Sequence, residues 1–228
     1  MHAVDPNPPD PAAAARPRVL LVTPTTGYQA EAVRLAAERL GVSLLLATDR
    51  CHVLEDPWGD RALPIRFEAP EEAVERIVSL AAAAPLQAVM ALGDRASVIA
   101  AAVNTRLGLA GHPPAAAAAC RNKFLAHQAW AQAGLPVPRF ARFAAASDPG
   151  EVAAAVAFPC VLKPLTLSGS RGVIRADNPP EFQAAFRRIR KLLREPSLRQ
   201  RQDPAGDMIQ VEEYLPGREF ALEGLLTA

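Results

Sequence analysis

FPCVLKPLTLSGSRGV, residues 158–173, is the stretch on which the reading of this chain turns. Its first part, FPCVLKP (158–164), is an apolar run that reads as a buried strand over 159–163 and delivers Lys163 at its end. Its last part, SGSRGV (168–173), is a Ser/Gly turn leading into a second strand over 172–176. A lysine set where a buried strand meets such a turn can bring its ammonium against an anion. Gly169 and Gly172 let backbone N–H groups approach anionic oxygens with no Cβ in the way, and Ser168 and Ser170 add hydroxyl donors. A charged hydrogen bond of this kind contributes roughly 1.5–3 kcal/mol. A few together reach micromolar affinity before the costs of association are subtracted. Taken alone, a Ser/Gly turn between strands is common.

Two more segments flank this one. Upstream, Arg121-Asn122-Lys123 falls inside a helical stretch expected over about 115–133, which Gly134 and Pro136 end on the way to GLPVPRF (134–140). Downstream, VEEYLPGREF (211–220) is a strand ending in the paired acids Glu212 and Glu213, followed by Tyr214, Leu215, a Pro216-Gly217 turn and Glu219. Composition adds weight to the lysines. Of 25 basic residues only Lys123, Lys163 and Lys191 are lysine, leaving 22 arginines. A chain that elsewhere uses Arg retains Lys where a compact point charge on a slim stem is needed. Either lysine by itself also reads as a plain surface residue.

The remaining pattern gives the fold class. Residues 18–23, 43–48, 62–66 and 87–92 read as strands, alternating with helices over 29–40, 71–83 and from Asp94, as the cap, to about Leu107. Gly41 stops the first helix. Strand and helix alternate with short turns, so the first half is an α/β, Rossmann-like parallel sheet, expected over 17–112. Composition shifts at Gly111-His112-Pro113-Pro114. Beyond it the pattern is α+β over 113–228: strands at 139–144 and 207–212, helices at 149–156 and 179–194, and a final strand at 219–227. The lid subdomain is expected at about 140–210. The Pro/Ala-rich residues 1–16 are expected to be a disordered tail.

Several classes of function find no support. Net charge is +1, so no global bias points to nucleic acid. The run 187–201 (RRIRKLLREPSLRQR) carries seven basic residues, but without interleaved aromatics it reads as a solvated helix face before a nucleic-acid patch. No stretch is long enough for a membrane span and no secretion signal is read. Three scattered cysteines (Cys51, Cys120, Cys160) suit a reducing cytosol, and a cytoplasmic location is expected. The four histidines form no zinc pattern, and no metal ligand is assigned. Thr23 to Tyr28, between the first strand and helix, is a candidate anion or substrate loop through Thr25, Thr26 and Tyr28, with Asp49 ending the second strand. However, only Gly27 stands where a dinucleotide site would need three glycines. Nothing completes a catalytic pair for Cys51 and His52.

In order along the chain, Lys123, FPCVLKP, SGSRGV and VEEYLPGREF resemble the ATP-grasp superfamily, which includes D-alanine–D-alanine ligase, biotin carboxylase and carbamoyl-phosphate synthase. The resemblance covers 18–228, with 18–111 similar to the pre-ATP-grasp domain. It implies that Lys123 and Lys163 contact phosphates and that the 168–172 turn (Ser168, Gly169, Ser170, Gly172) is the mobile lid. It implies that Glu212, Glu213, Tyr214 and Leu215 form an adenine hinge and that Glu219 holds ribose. The implied partners are ATP and a small carboxylate, which is activated as an acylphosphate and then attacked by an amine or other nucleophile. Family members continue past the Glu219 strand into strands with acidic residues and a Glu-x-Asn pair that hold magnesium. No such segment follows here, so an incomplete ATP-grasp domain is expected, catalytic residues stay unassigned, and Mg2+ or Mn2+ is expected only for the complete family member. The 219–227 strand would then leave an open apolar edge (Phe220, Leu222, Leu225, Leu226) that invites self-association. A non-catalytic nucleotide-binding module and an NAD(P)-dependent oxidoreductase stay open as alternatives.

Overall fold

The computed structural model describes residues 16–24, 29–49, 62–222 and 224. The expected tail before Arg16, the loop residues Thr25 to Tyr28, and Cys51 and His52 lie outside the described residues. The chain divides into two compact units, Met1–Arg121 and Asn122–Ala228.

In the first unit, β1 (Arg18–Val22), β2 (Ser43–Thr48), β3 (Ala62–Pro64) and β4 (Ala88–Ala91) form one sheet in the order β3-β2-β1-β4. Every pairing is parallel. The period-two alternation of β1 explains the two packed faces. Leu20 and Val22 enter the core formed with α2 (Pro70–Ala83) and α3 (Asp94–Leu107), whose Ala73, Ile77, Ala96, Ile99 and Val103 are buried there. Leu21 points the other way, into a smaller cluster with Leu44, Leu46 and Ala37 of α1 (Ala30–Arg39). A helix layer on each face of a parallel sheet is the doubly wound arrangement expected from the alternating pattern. Gly41, at φ 66°, stops α1: its N–H donates to the Glu38 carbonyl at 3.2 Å and the next N–H, of Val42, to Ala37 at 2.9 Å. At α3 the cap position belongs to Gly93 (φ 97°), and Asp94 is the first helical residue, with its charge at the positive end of the helix dipole. The first unit runs past the Gly111–Pro114 boundary read from composition, because α4 (Pro114–Arg121) packs on α3.

In the second unit, β5 (Phe140–Ala144), β6 (Cys160–Pro164), β7 (Ile174–Ala176) and β8 (Met208–Glu213) form an antiparallel sheet in the order β5-β8-β6-β7. One face is buried under α6 (Pro149–Ala154) and α7 (Pro179–Leu193), around Phe182, Phe186 and Ile189. A short helix, α8 (Pro196–Arg199), follows α7. Of the strand expected at 219–227, residues 219–222 and Gly224 are outside any strand, and residues 223 and 225–227 lie outside the described residues. Both edges of β8 are already paired, to β5 and β6, so the segment cannot continue as a neighbour of β8. Phe220 and Leu222 are exposed there, and Leu225 and Leu226, the rest of the apolar edge on which self-association was expected, lie outside the described residues. No helix among the described residues is long and apolar enough to cross a membrane.

Candidate functional site

The helical stretch expected over 115–133 is two helices, because Asn122 breaks it. Asn122 takes an extended conformation (φ −114°, ψ 110°), and its Oδ1 accepts the N–H groups of Phe124 at 3.0 Å and Leu125 at 3.3 Å. This is an N-cap, and it starts α5 (Lys123–Gln132) at Lys123. Lys123 is thereby held against the segment that follows β6. Its N–H donates to the Leu165 carbonyl at 3.2 Å. Its ammonium donates to the Leu167 carbonyl at 2.5 Å and reaches that of Leu165 at 3.4 Å.

The register of the second sheet assembles the rest. Lys163 pairs with Gln210, Val161 and Phe140 both pair with Glu212, and Arg142 pairs with Gln210. Lys163, Gln210 and Glu212 therefore share one face, while Cys160, Leu162, Ile209 and Val211 turn into the core beneath. The Lys163 ammonium forms an ion pair with Glu212 Oε1, with the two side chains only 17% and 12% exposed. The second carboxylate oxygen, Oε2, accepts from Gln210 Nε2 at 2.8 Å and lies 3.3 Å from His127 Nε2. The other ring nitrogen of His127 is 2.7 Å from the Lys123 carbonyl. Phe140 and Trp130 flank the imidazole, with ring centroids 5.0 and 5.2 Å away. Neither His127 nor Gln210 stands out in the sequence. The signal that finds them is spacing: His127 is one helical turn after Lys123, and Gln210 is one strand repeat before Glu212.

The 168–172 turn has three residues with positive φ: Gly169 (63°), Ser170 (55°) and Gly172 (78°). Arg171 N–H is bonded to the Ser168 carbonyl and Val173 N–H to that of Ser170. The N–H groups of Gly169, Ser170 and Gly172 find no backbone acceptor among the described residues. A run of such amides makes a concave anion-binding surface. The two glycines differ, however. A Cβ at Gly169 would meet nothing, whereas one at Gly172 would lie 2.9 Å from Leu192 Cδ2 and 3.0 Å from Pro164 Cγ. At 172 crowding by Pro164 and Leu192 adds to the left-handed backbone in favouring glycine.

At the end of β8, Glu213 forms an exposed ion pair with Arg139 at 3.1 Å, and the hydrogen bond from Arg139 holds its carboxyl below the usual carboxylate range. Glu213 N–H donates to Arg139 and Tyr214 N–H to Pro159. Leu215 is exposed, and its N–H has no backbone acceptor among the described residues. The Arg175 guanidinium lies over the Tyr214 ring at 4.0 Å. Glu219 is exposed and makes no hydrogen bond or ion pair among the described residues, so it is not drawn into the Lys163 cluster.

Residues 156–228 match the model of the ATP-grasp domain, and residues 33–111 match that of the ATP-grasp N-terminal domain. The chain belongs to the ATP-grasp superfamily. An uncharacterized protein of Sinorhizobium fredii, y4rH, is 43% identical over 65 residues, spanning 28% of this chain and 14% of the relative. Among solved structures, the L-amino acid ligase of Bacillus licheniformis superposes with a TM-score of 0.67 at 23% identity, over 88% of this chain and 47% of the ligase. The biotin carboxylase domain of Hydrogenobacter thermophilus 2-oxoglutarate carboxylase, in complex with MgADP, ADP and bicarbonate, gives 0.56 at 18% identity, over 86% of this chain and 44% of its own. These likenesses establish the ATP-grasp fold. The chain spans less than half the length of these relatives.

Proposed function

We propose that this chain binds ATP, as the nucleotide-binding portion of a ligase that activates a carboxylate for attack by an amine or another nucleophile. One observation carries the reading. The Lys123 ammonium lies on the Leu167 carbonyl, beside a turn whose Gly169, Ser170 and Gly172 amides have no backbone acceptor among the described residues, and Lys163 stands on the strand that leads into that turn with its ammonium on Glu212, so two cations and a run of N–H donors belong to one segment that suits a polyphosphate. The family membership and the relatives that hold adenine nucleotides support the same ligand.

When bound, ATP would supply the phosphoryl group that makes a carboxylate an acyl phosphate. The chain's own residues would bind and shield it. Lys163 and Lys123 would offset phosphate charge, and the 168–172 turn would donate its amides and cover the phosphates against water. The open Leu215 N–H would donate to adenine at the hinge, and Glu219 would take the ribose hydroxyls. Among the described residues no three His, Cys, Asp or Glu side chains gather to hold a metal ion. No magnesium ligand is assigned among them, and no step is derived through a metal. Adenine nucleotides can be told from dinucleotides by thermal melting. ATP at 100 times its Kd should stabilise the protein by about 2.7 kcal/mol. A larger rise in Tm with NAD than with ATP would count against the proposal.

A further inference from the structure

The ion pair between Lys163 and Glu212 poses a problem that the nucleotide reading leaves open. If Lys163 is to meet a phosphate, its ammonium must turn away from a carboxylate whose side chain is 12% exposed. A mostly buried carboxylate that loses its counter-charge is strongly disfavoured unless other donors hold it. Two partners already face the opposite oxygen: Gln210 Nε2 donates to Oε2, and His127 Nε2 lies 3.3 Å from it, an ion pair when the imidazole carries both protons, since Nδ1 faces the Lys123 carbonyl; Lys163 pairs with Oε1. His127 is itself fixed from behind by the Lys123 carbonyl at 2.7 Å and from the sides by Phe140 and Trp130. It is 9% exposed, so its ring is positioned by protein and not by solvent.

We infer that His127 is a positioning residue of the nucleotide site: it anchors the Glu212 carboxylate through Oε2, so that Lys163 is free to swing from Oε1 to phosphate. The arrangement also joins the two lysines. Lys123 holds His127 by its carbonyl, His127 holds Glu212, and Glu212 holds Lys163, so helix α5 and strand β6 present their cations as a set. Gln210 fills the same role from within the sheet. Its Nε2 must face the carboxylate, and its buried Oε1 has no hydrogen-bond partner among the described residues. That leaves His127 as the anchor supplied from outside the sheet.

This inference rests on the ATP reading, and the test separates the two. Binding of ATP and of adenosine would be measured on the full chain, on His127→Ala, on His127→Gln, and on both changes in a Glu212→Gln background, with a thermal melt of each sample. His127→Ala should weaken ATP by about tenfold, the worth of one charge-assisted hydrogen bond. It should leave adenosine, which has no phosphate for Lys163, within about twofold. His127→Gln, which keeps a side-chain N–H donor, should recover part of the loss. In the Glu212→Gln background the change at 127 should have no further effect, because the carboxylate it anchors is gone. Equal losses for ATP and adenosine, or an undiminished loss in the Glu212→Gln background, would make His127 merely structural and overturn the inference. Unchanged ATP affinity in a folded His127→Ala protein would overturn it alone. Failure of the folded parent chain to bind ATP would overturn the site reading and this inference with it.

Discussion

Two glycines three residues apart in the same turn should respond to alanine in different degree. At Gly172 the backbone is left-handed (φ 78°), and an added Cβ would come within 2.9 Å of Leu192 and 3.0 Å of Pro164. A left-handed conformation costs an L-residue about 1–2 kcal/mol. Forcing a methyl into packed surroundings adds about 1–3 kcal/mol. Gly172→Ala should therefore destabilise the second unit by roughly 2–5 kcal/mol. At Gly169 (φ 63°) the first cost applies and the second does not, since nothing lies within 4 Å of the added Cβ. Gly169→Ala should cost about 1–2 kcal/mol. For a unit near 100 residues each kcal/mol moves Tm by about 4 °C, so the two melts should differ by roughly 4–12 °C. Function should sort the other way. Per unit of lost stability, Gly169→Ala should weaken ATP more, because the space beside its amide is open for phosphate. Thermal melting and ATP titration of both variants check this. Equal melting temperatures would refute the claim that packing fixes Gly172.

Other outcomes follow from the same contacts. Asn122→Ala removes the side-chain acceptor for Phe124 and Leu125 N–H and should cost about 1 kcal/mol in denaturant unfolding. A cost near zero would mean that the α4–α5 break does not depend on the cap. Phe186→Ala empties a fully buried position beside Phe182 and should cost about 3–5 kcal/mol, seen as a lowered denaturant midpoint. Burial, and then the charge of Asp177, push the Cys160 thiol up to about 11. A raised pKa leaves the reactive thiolate scarce at pH 8, so a thiol reagent should modify exposed Cys120 well before Cys160, read by peptide mass. Prompt native labelling of Cys160 would contradict its place in the core.

The parts of the fold that were legible in sequence are those set by local periodicity. β1 and β2 are short, mostly apolar runs that alternate with helices, and Gly41 stands where a left-handed residue ends α1, so the parallel layer can be read off directly. The break at Asn122 was harder to see. The stretch from Pro114 to Gln132 is rich in good helix formers, and propensity alone continues it; the side-chain cap, worth about as much as several propensity differences, decides otherwise. Residues 219–222 and Gly224 lie outside any strand for the opposite reason: their apolar residues suit a strand, but a strand is made by pairing, and both sides of the preceding β8 are taken by β5 and β6. Within the candidate site, the lysines and the turn were visible as short motifs. The Lys163–Glu212–His127 contact was not, because it depends on a register between strands nearly fifty residues apart and on a helix from another part of the chain.

Calorimetric titration of ATP into this chain and into Lys163→Ala tests the central claim most directly. The account predicts saturable binding, on the order of micromolar, that weakens at least about tenfold without the Lys163 ammonium while the variant stays folded by its melt. ATP binding that is equally tight in both proteins, or no binding by a parent chain that melts cooperatively, would contradict it.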